Sequence, residues 1–201
     1  MPGMLSTILD VGLNDKSVRG LIALTSNPRL AWDSYRRLIQ MYSEVVDDIA
    51  ADAFEARLAA MIRSEDVLGE SDLDPEALER LTHGLRDTAL RAIGRAIPEA
   101  PIEQLQAAAR AVYRSWHSPR AVEYRRLNKL ERLAGTAVTV QAMIFGNGGG
   151  KSGAGVAFSR NPASGAKGLY VDFLFDAQGE DVVAGRRIPG IWQCCPLGCP
   201  R

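Results

Sequence analysis

The chain has 201 residues, 46% of them hydrophobic, enough to bury a core in one large domain or two small ones. Its 24 Lys and Arg balance 24 Asp and Glu, so no net field draws it to nucleic acid or to an anionic membrane, and any phosphate site must be built by local geometry. No apolar run approaches the roughly 20 residues of a membrane span, and the N-terminus lacks the basic and apolar regions of a signal peptide, so the expected location is cytoplasmic.

Residues 1–15, "MPGMLSTILDVGLND", are punctuated by Gly and Pro without an amphipathic period and read as loop with short ordered pieces. Helices then dominate. Asn14-Asp15 can cap one that runs to about Leu24, and Asn27-Pro28 places a cap and a first-turn proline before "RLAWDSYRRLIQMYSEVV". There Leu30, Ser34, Leu38 and Met41, with Trp32, Tyr35, Ile39 and Tyr42, make a broad face suited to burial. Further helices are predicted at 51–63, at 75–96 after the cap Asp74-Pro75, at 101–116, and at 119–132 after Ser118-Pro119. Adjacent helical residues point about 100° apart, so in each of the pairs Arg36-Arg37 and Arg125-Arg126 one side chain is expected inward and the other in solvent. An inward arginine needs an anion. His83 and His117 fall on predicted helices without acidic or nucleophilic company, which suits surface or packing roles better than catalysis.

At Gly135 the pattern changes to alternating and β-branched residues: "TAVTVQAMIF" at 136–145, "GVAFSR" at 155–160 and "GLYVDFLF" at 168–175, joined by two glycine-rich turns. The expectation is a three-stranded antiparallel meander. Helices first and strands afterwards argue for an α+β fold or two subdomains, joined near Leu133 to Gly135. So small a sheet must pack on the helices or on partner strands.

The first of those turns, "FGNGGGKSGAG" at 145–155, looks like a phosphate-binding loop of the form G-x-x-x-x-G-K-[ST], but Phe145 stands where the first glycine should be and a strand follows where a helix is needed. A glycine-rich hairpin can still hold phosphate through its amides, with Lys151 beside it; a flexible hairpin tip fits the composition equally well. In "AQGEDVVAGRR" at 177–187, Glu180 and Asp181 could orient a metal-phosphate complex or merely lie in a solvated turn, the more frequent meaning. The three cysteines, Cys194, Cys195 and Cys199, bring two adjacent thiols and no nearby histidine, a poor set for zinc, so no metal site is assigned.

Taken together, "MPGM…TILDVGLND", "DSYRRLIQMY" (33–42), "GTAVTVQAMIFGN" (135–147), "SGAGVAFSRNPASG" (152–165) and "AQGEDVVAGRRIP" (177–189) resemble, in order, the nucleotide-binding region of pyruvate, phosphate dikinases. The first and last blocks favour that family over phosphoenolpyruvate synthase. The resemblance covers residues 1 to about 189 and implies part of an ATP-grasp fold. Its segments would be core at 1–15, a helical subdomain at 16–98, core helices and strand at 99–147, and the glycine-loop hairpin of the second half at 148–189. It implies ATP, inorganic phosphate and Mg2+ as ligands. Gly153 and Gly155 would lie at the phosphates with Lys151 nearby, Arg37 would reach the transferred phosphoryl group or inorganic phosphate, and Gln141 would lie on the strand lining the adenine pocket. Glu180 and Asp181 would flank the cleft.

A whole dikinase is several times longer. The resemblance implies that a catalytic lysine and arginine, the metal-binding carboxylates, the phosphohistidine domain and the pyruvate-binding barrel all lie outside these residues. The expectation is a piece that is inactive alone and partners the remaining dikinase domains or a full-length dikinase. Its rival is a non-catalytic remnant that binds other proteins through uncovered apolar surface. Residues 190–201, "GIWQCCPLGCPR", lack a helical period and depart from the family, as a frameshift or premature end of the reading frame would produce.

Overall fold

The computed structural model describes residues 5–183 and 190–193, which fall into two compact units divided between Met143 and Ile144. The first is helical: α1 (Asp15–Thr25), α2 (Pro28–Val45), α3 (Asp52–Ser64), a single 3-10 turn (Glu70–Asp72), α4 (Pro75–Ile93), α5 (Pro101–Ser115) and α6 (Pro119–Leu127). Local chemistry sets the starts. Asn14 accepts from the amides of Lys16 and Ser17 while Ser17 answers with its hydroxyl, a reciprocal capping box. Asn27, Asp74 and Ser118 cap α2, α4 and α6, each followed by proline at the first helical position, where a missing N–H costs nothing.

The ends are equally local. Gly94 at φ 70 stops α4 at Ile93, before the expected 96. Lys129 at φ 55, with the amide of Leu130 turned back to the carbonyl of Arg125, stops α6 at Leu127 rather than at 132. Helix α2 is the centre of the unit, packed by α1, α4 and α5, and 13 of its 18 residues are buried. Leu38, Ile39 and Tyr42 of α2, Phe54 of α3 and Leu78, Leu81 and Leu85 of α4 form the heart of a continuous apolar core. Residues 5–14 carry no regular structure, but Gln104 anchors them to α5: its side chain accepts from the Gly12 amide at 2.8 Å and donates to the Leu13 carbonyl at 3.0 Å.

The second unit holds β1 (Gly153–Arg160), β2 (Lys167–Phe175), α7 (Gly179–Val183) and β3 (Gly190–Gln193), with an antiparallel sheet in the order β1-β2-β3. The α+β class stands, with a different third strand. Residues 136–145 form no ladder among the described residues, although their alternation is a strand's; Val140 is 67% exposed and Ile144 84%. An alternating pattern supplies a surface for pairing, and a strand exists only where another backbone takes up its hydrogen bonds. β3 takes the third place instead, beginning at the residue where the irregular tail was expected to start. The segment around Glu180 and Asp181, for which a solvated turn was the more frequent meaning, is the short helix α7, packed on β1 and β2. Cys194, Cys195 and Cys199, for which no metal site is expected, lie outside the described residues. No helix among those described is long and apolar enough to cross a membrane.

Candidate functional site

In the second unit the glycine loop, residues 146–152, connects the extended segment to β1. Gly149 (φ 79) and Gly150 (φ 62) hold left-handed conformations with open space beside them, and Lys151 is exposed next to them. Both stems of this loop are clasped to the turn after β2. The amide of Ala177 donates to the carbonyl of Gly146 at 3.1 Å and that of Asp176 to Ser152 at 2.9 Å. The Gln178 amide side chain donates to Asn147 Oδ1 at 2.8 Å, and its oxygen accepts the Gly146 N–H at 3.4 Å. Asp181, in turn, accepts from the Gln178 backbone at 2.9 Å. Asn147, Gln178 and Asp181 are 3%, 2% and 5% exposed, so these bonds run where water does not compete.

One loop amide, that of Gly149, already donates to the Asp176 carboxylate at 3.0 Å, with Asp176 itself in the left-handed region at φ 46. The loop therefore has open space beside its two left-handed glycines and one acidic acceptor at its base.

Gly153 and Gly155 lie inside β1 rather than at the loop tip. A Cβ on Gly153 would stand 2.4 Å from the Leu174 carbonyl oxygen and 2.6 Å from the Phe173 ring, and one on Gly155 would stand 2.7 Å from the Asp172 oxygen. These glycines let β1 close on β2 beneath the Phe173 ring, a reason for glycine that is independent of any ligand. Of the two acids, Asp181 is buried in the clasp and Glu180 is half-buried on α7. A solvated turn does not describe either.

In the first unit the paired arginines of α2 behave unexpectedly. Both Arg36 (1% exposed) and Arg37 (8%) are buried, because α2 is enclosed on nearly every side. Their anions are internal. Asp33 binds Arg36 at 2.8 Å through one oxygen and Arg37 at 3.0 Å through the other; one oxygen of Glu70, from the 3-10 turn, accepts from both Arg36 and Arg37, the latter at 3.0 Å. The four groups close a ring of alternating charge. The Asp33 side chain is 3% exposed and that of Glu70 25%, so the ring has one floor carboxylate and one at the rim. Arg36 Nε, buried, has no hydrogen-bond partner. In the other pair the expected division holds: Arg125 is buried, donating to the Trp116 carbonyl at 2.7 Å with its guanidinium 3.9 Å from the indole centroid, while Arg126 is exposed beside Glu123.

A third polar cluster ties α1 to α4. Arg86 binds Asp15 at 2.7 Å and Glu99 at 2.6 Å, and the Tyr35 hydroxyl donates to Asp15 at 3.3 Å. Burial raises the Asp15 carboxyl pKa, but the hydrogen bond and charge of Arg86 outweigh it and hold the carboxyl below its ordinary range. Burial drives the Tyr35 phenol strongly upward. His83 is half-exposed, tilted against Trp32 with ring centroids 5.8 Å apart, and its Nε2 lies 3.9 Å from the Glu79 carboxylate one turn back, so it does have acidic company on its helix.

Of the residues singled out from sequence, Arg37 and Gln141 belong to the first unit and Lys151, Gly153, Gly155, Glu180 and Asp181 to the second. Gln141 is exposed on the unpaired segment. Sequence reasoning missed Asn147, Asp176 and Gln178, which hold the loop, and Glu70, which closes the arginine ring. Asn147 and Gln178 stood inside recognised blocks, but nothing in either block signals that they meet. No three of His, Cys, Asp and Glu come together as a metal would need among the described residues.

Comparison with known proteins fits this arrangement. The family model described as "Pyruvate phosphate dikinase, AMP/ATP-binding domain" matches residues 1–193. The chain is 50% identical over 190 residues to the pyruvate, phosphate dikinase of Clostridium symbiosum, covering 94% of this chain and 22% of that protein. It is 49% identical to pyruvate, phosphate dikinase 1, chloroplastic, of Oryza sativa subsp. japonica (94% and 20% covered), and 49% identical to the pyruvate, phosphate dikinase of Giardia intestinalis (94% and 22%). It spans about a fifth of the length of these relatives. With a match across nearly its whole length, the chain belongs to the pyruvate phosphate dikinase AMP/ATP-binding domain family.

Proposed function

We propose that this chain is the ATP-binding part of a pyruvate, phosphate dikinase, whose complete reaction converts ATP, phosphate and pyruvate to AMP, pyrophosphate and phosphoenolpyruvate through a phosphohistidine. The match across residues 1–193 carries the reading. The fold we assign is part of an ATP-grasp, and the location cytoplasmic. The left-handed glycines Gly149 and Gly150, with open space beside them, support placing phosphates at the loop, with Lys151 as a nearby charge and Gly153 and Gly155 fixing the strand behind it. Arg37 would neutralise the transferred phosphoryl group or inorganic phosphate, and Gln141 would face adenine. Glu180 and Asp181 would border the cleft, Asp181 by holding the loop's base.

Amides and guanidinium groups aimed at phosphoryl oxygens stabilise the charge that spreads over them during transfer. Magnesium would accompany the nucleotide; the described residues include no carboxylate cluster fit to hold it, so the roles assigned to this chain rest on amides and arginines.

Alone, the chain is expected to make no phosphoenolpyruvate from ATP, phosphate and pyruvate. Calorimetry with ATP, beside amide hydrogen exchange, tests the binding role. The expected result is a dissociation constant weaker than about 1 μM, equivalent to about 8 kcal/mol, with slowed exchange in residues 146–155. No heat and no protection at millimolar ATP would refute it. A second reading, a protein-binding remnant, draws on the exposed Leu127, Leu133 and Val140 of the first unit. Association with a full-length dikinase together with absence of ATP binding would favour it.

A further inference from the structure

We propose that Arg36 and Arg37 together form one oxyanion site, that the Glu70 carboxylate occupies its outer position, and that a phosphate group enters by replacing Glu70. The inference rests on the reading that Arg37 meets a phosphate, and it adds the second arginine, the entry route and the group that must leave.

The geometry distinguishes the two carboxylates of the ring. Asp33 lies on the same helix as both arginines, one turn before them, and spends both oxygens on them. It is the permanent counterion. Glu70 comes from a three-residue turn more than thirty positions away, reaches both guanidinium groups through a single oxygen, and is the least buried of the four. Entry from solvent is therefore placed at Glu70, the least buried of the four.

The turn itself is held: Arg29 donates to the carbonyls of Glu70 at 3.3 Å and Ser71 at 2.8 Å. The backbone can stay while the carboxylate swings out about its side-chain torsions. A glutamate offers one negative charge and two oxygens. A phosphate at neutral pH brings up to two charges and at least three oxygens, enough to accept from both forks at once and to reach the Arg36 Nε, which lacks a partner. Exchange thus replaces a shared single-oxygen contact with a fuller set. It also prevents two buried guanidinium groups from standing against one carboxylate when no phosphate is bound, an arrangement that would leave a buried charge uncompensated.

The test is titration of the whole chain with inorganic phosphate at constant ionic strength, by calorimetry and by melting temperature. Glu70→Gln is expected to bind phosphate at least about fivefold tighter than the unaltered chain and to melt lower without phosphate but gain more from it. Arg36→Lys in the Glu70→Gln background should lose most of that gain. Should Glu70→Gln not fold, Glu70→Asp, which withdraws the carboxylate by one methylene, is expected to tighten binding in the same direction.

If Glu70→Gln or Glu70→Asp binds phosphate no tighter while Arg37→Gln weakens binding, Arg37 meets phosphate as proposed but the exchange is wrong. If Arg37→Gln leaves phosphate binding unchanged, the underlying reading of Arg37 fails and the inference with it. Repeating the Glu70→Gln titration with saturating ATP assigns the source: phosphate excluded by ATP points to a nucleotide's terminal phosphoryl group, and phosphate still bound points to the inorganic ion. Both results count for the site; no tightening toward either ligand overturns it.

Discussion

The two units bury opposite kinds of chemistry. At the centre of the helical unit lie Leu38, Ile39, Tyr42, Phe54, Leu81 and Leu85, within an apolar core to which four helices contribute, with the Asp33, Arg36 and Arg37 charges buried on the same helix α2. In the second unit the buried hydrophobic residues among those described are Leu174 and Ala177, and beside them Asn147, Gln178 and Asp181 are equally buried. Area removed from water stabilises the first, whereas directed hydrogen bonds hold the second. A core of the first kind tolerates repacking; a polar centre holds one geometry and fails when a single partner is lost. The unit that carries the glycine loop is thus the one whose shape is most tightly specified and least deeply insulated.

Truncation in the apolar core should have the largest effect. Phe54→Ala, at a position with no exposure, should cost about 3–5 kcal/mol of the helical unit's stability, read from urea unfolding followed by helical circular dichroism. A loss below about 1 kcal/mol would mean that the helical unit does not depend on its core as described.

A smaller effect is expected from adding atoms to the sheet. Gly155→Val places a Cβ against the Asp172 carbonyl and the Phe173 ring, so it should destabilise the second unit by about 1–3 kcal/mol and speed amide exchange along β1 and β2. It should impair the loop by this route as well as by any contact with phosphate. Unchanged exchange in the strands would show that the close approach of β1 and β2 is not needed.

Next in size is the clasp. Gln178→Leu keeps much of the volume but removes a buried hydrogen bond from each of Asn147 and the Gly146 amide, at a cost of about 1–3 kcal/mol confined to the second unit. Its sharpest sign should be faster tryptic cleavage after Lys151 with an unchanged helical signal. Slow cleavage would place the loop's rigidity elsewhere.

The smallest effect belongs to Asp15, whose side chain is 45% exposed. Its folded pKa lies below the ordinary 3.8, so its contribution is present above that value and is lost as pH falls through the folded pKa. Asp15→Asn should cost less than about 1 kcal/mol at neutral pH, and the gap from the unaltered chain should close in acid. A gap that widened with acidity would reverse the assigned sign.

The parts of the fold that were legible in the sequence are those set by neighbours in the chain. Asn27-Pro28, Asp74-Pro75 and Ser118-Pro119 each carry a helix start complete in two residues. The segment 136–145 misled because alternation reports which faces could be buried, while pairing depends on a distant strand. The Arg36-Arg37 pair was visible as one inward arginine needing an anion beside one in solvent; that both turn inward depends on Glu70, more than thirty residues away, and on how fully α2 is enclosed. Gly153 and Gly155 stood out as residues expected at the phosphates, whereas the atoms an added Cβ would meet in the fold are those of the protein's own β2. The clasp was illegible for the same reason as the arginine ring: Asn147 and Gln178 are ordinary polar residues until the fold makes them neighbours.

The clasp also sets a chemical clock. Asn147 precedes Gly148, the context in which an asparagine side chain most readily cyclises onto the following backbone nitrogen, expelling ammonia and then taking up water to leave aspartate or isoaspartate. That reaction needs the side chain to swing toward its own backbone. While Gln178 holds the Asn147 oxygen in a buried site, the swing waits for a local opening. Conversion at this one asparagine therefore accumulates in proportion to the time the loop's base spends open, and the age of a preparation would be written in the negative charge left at the foot of the glycine loop.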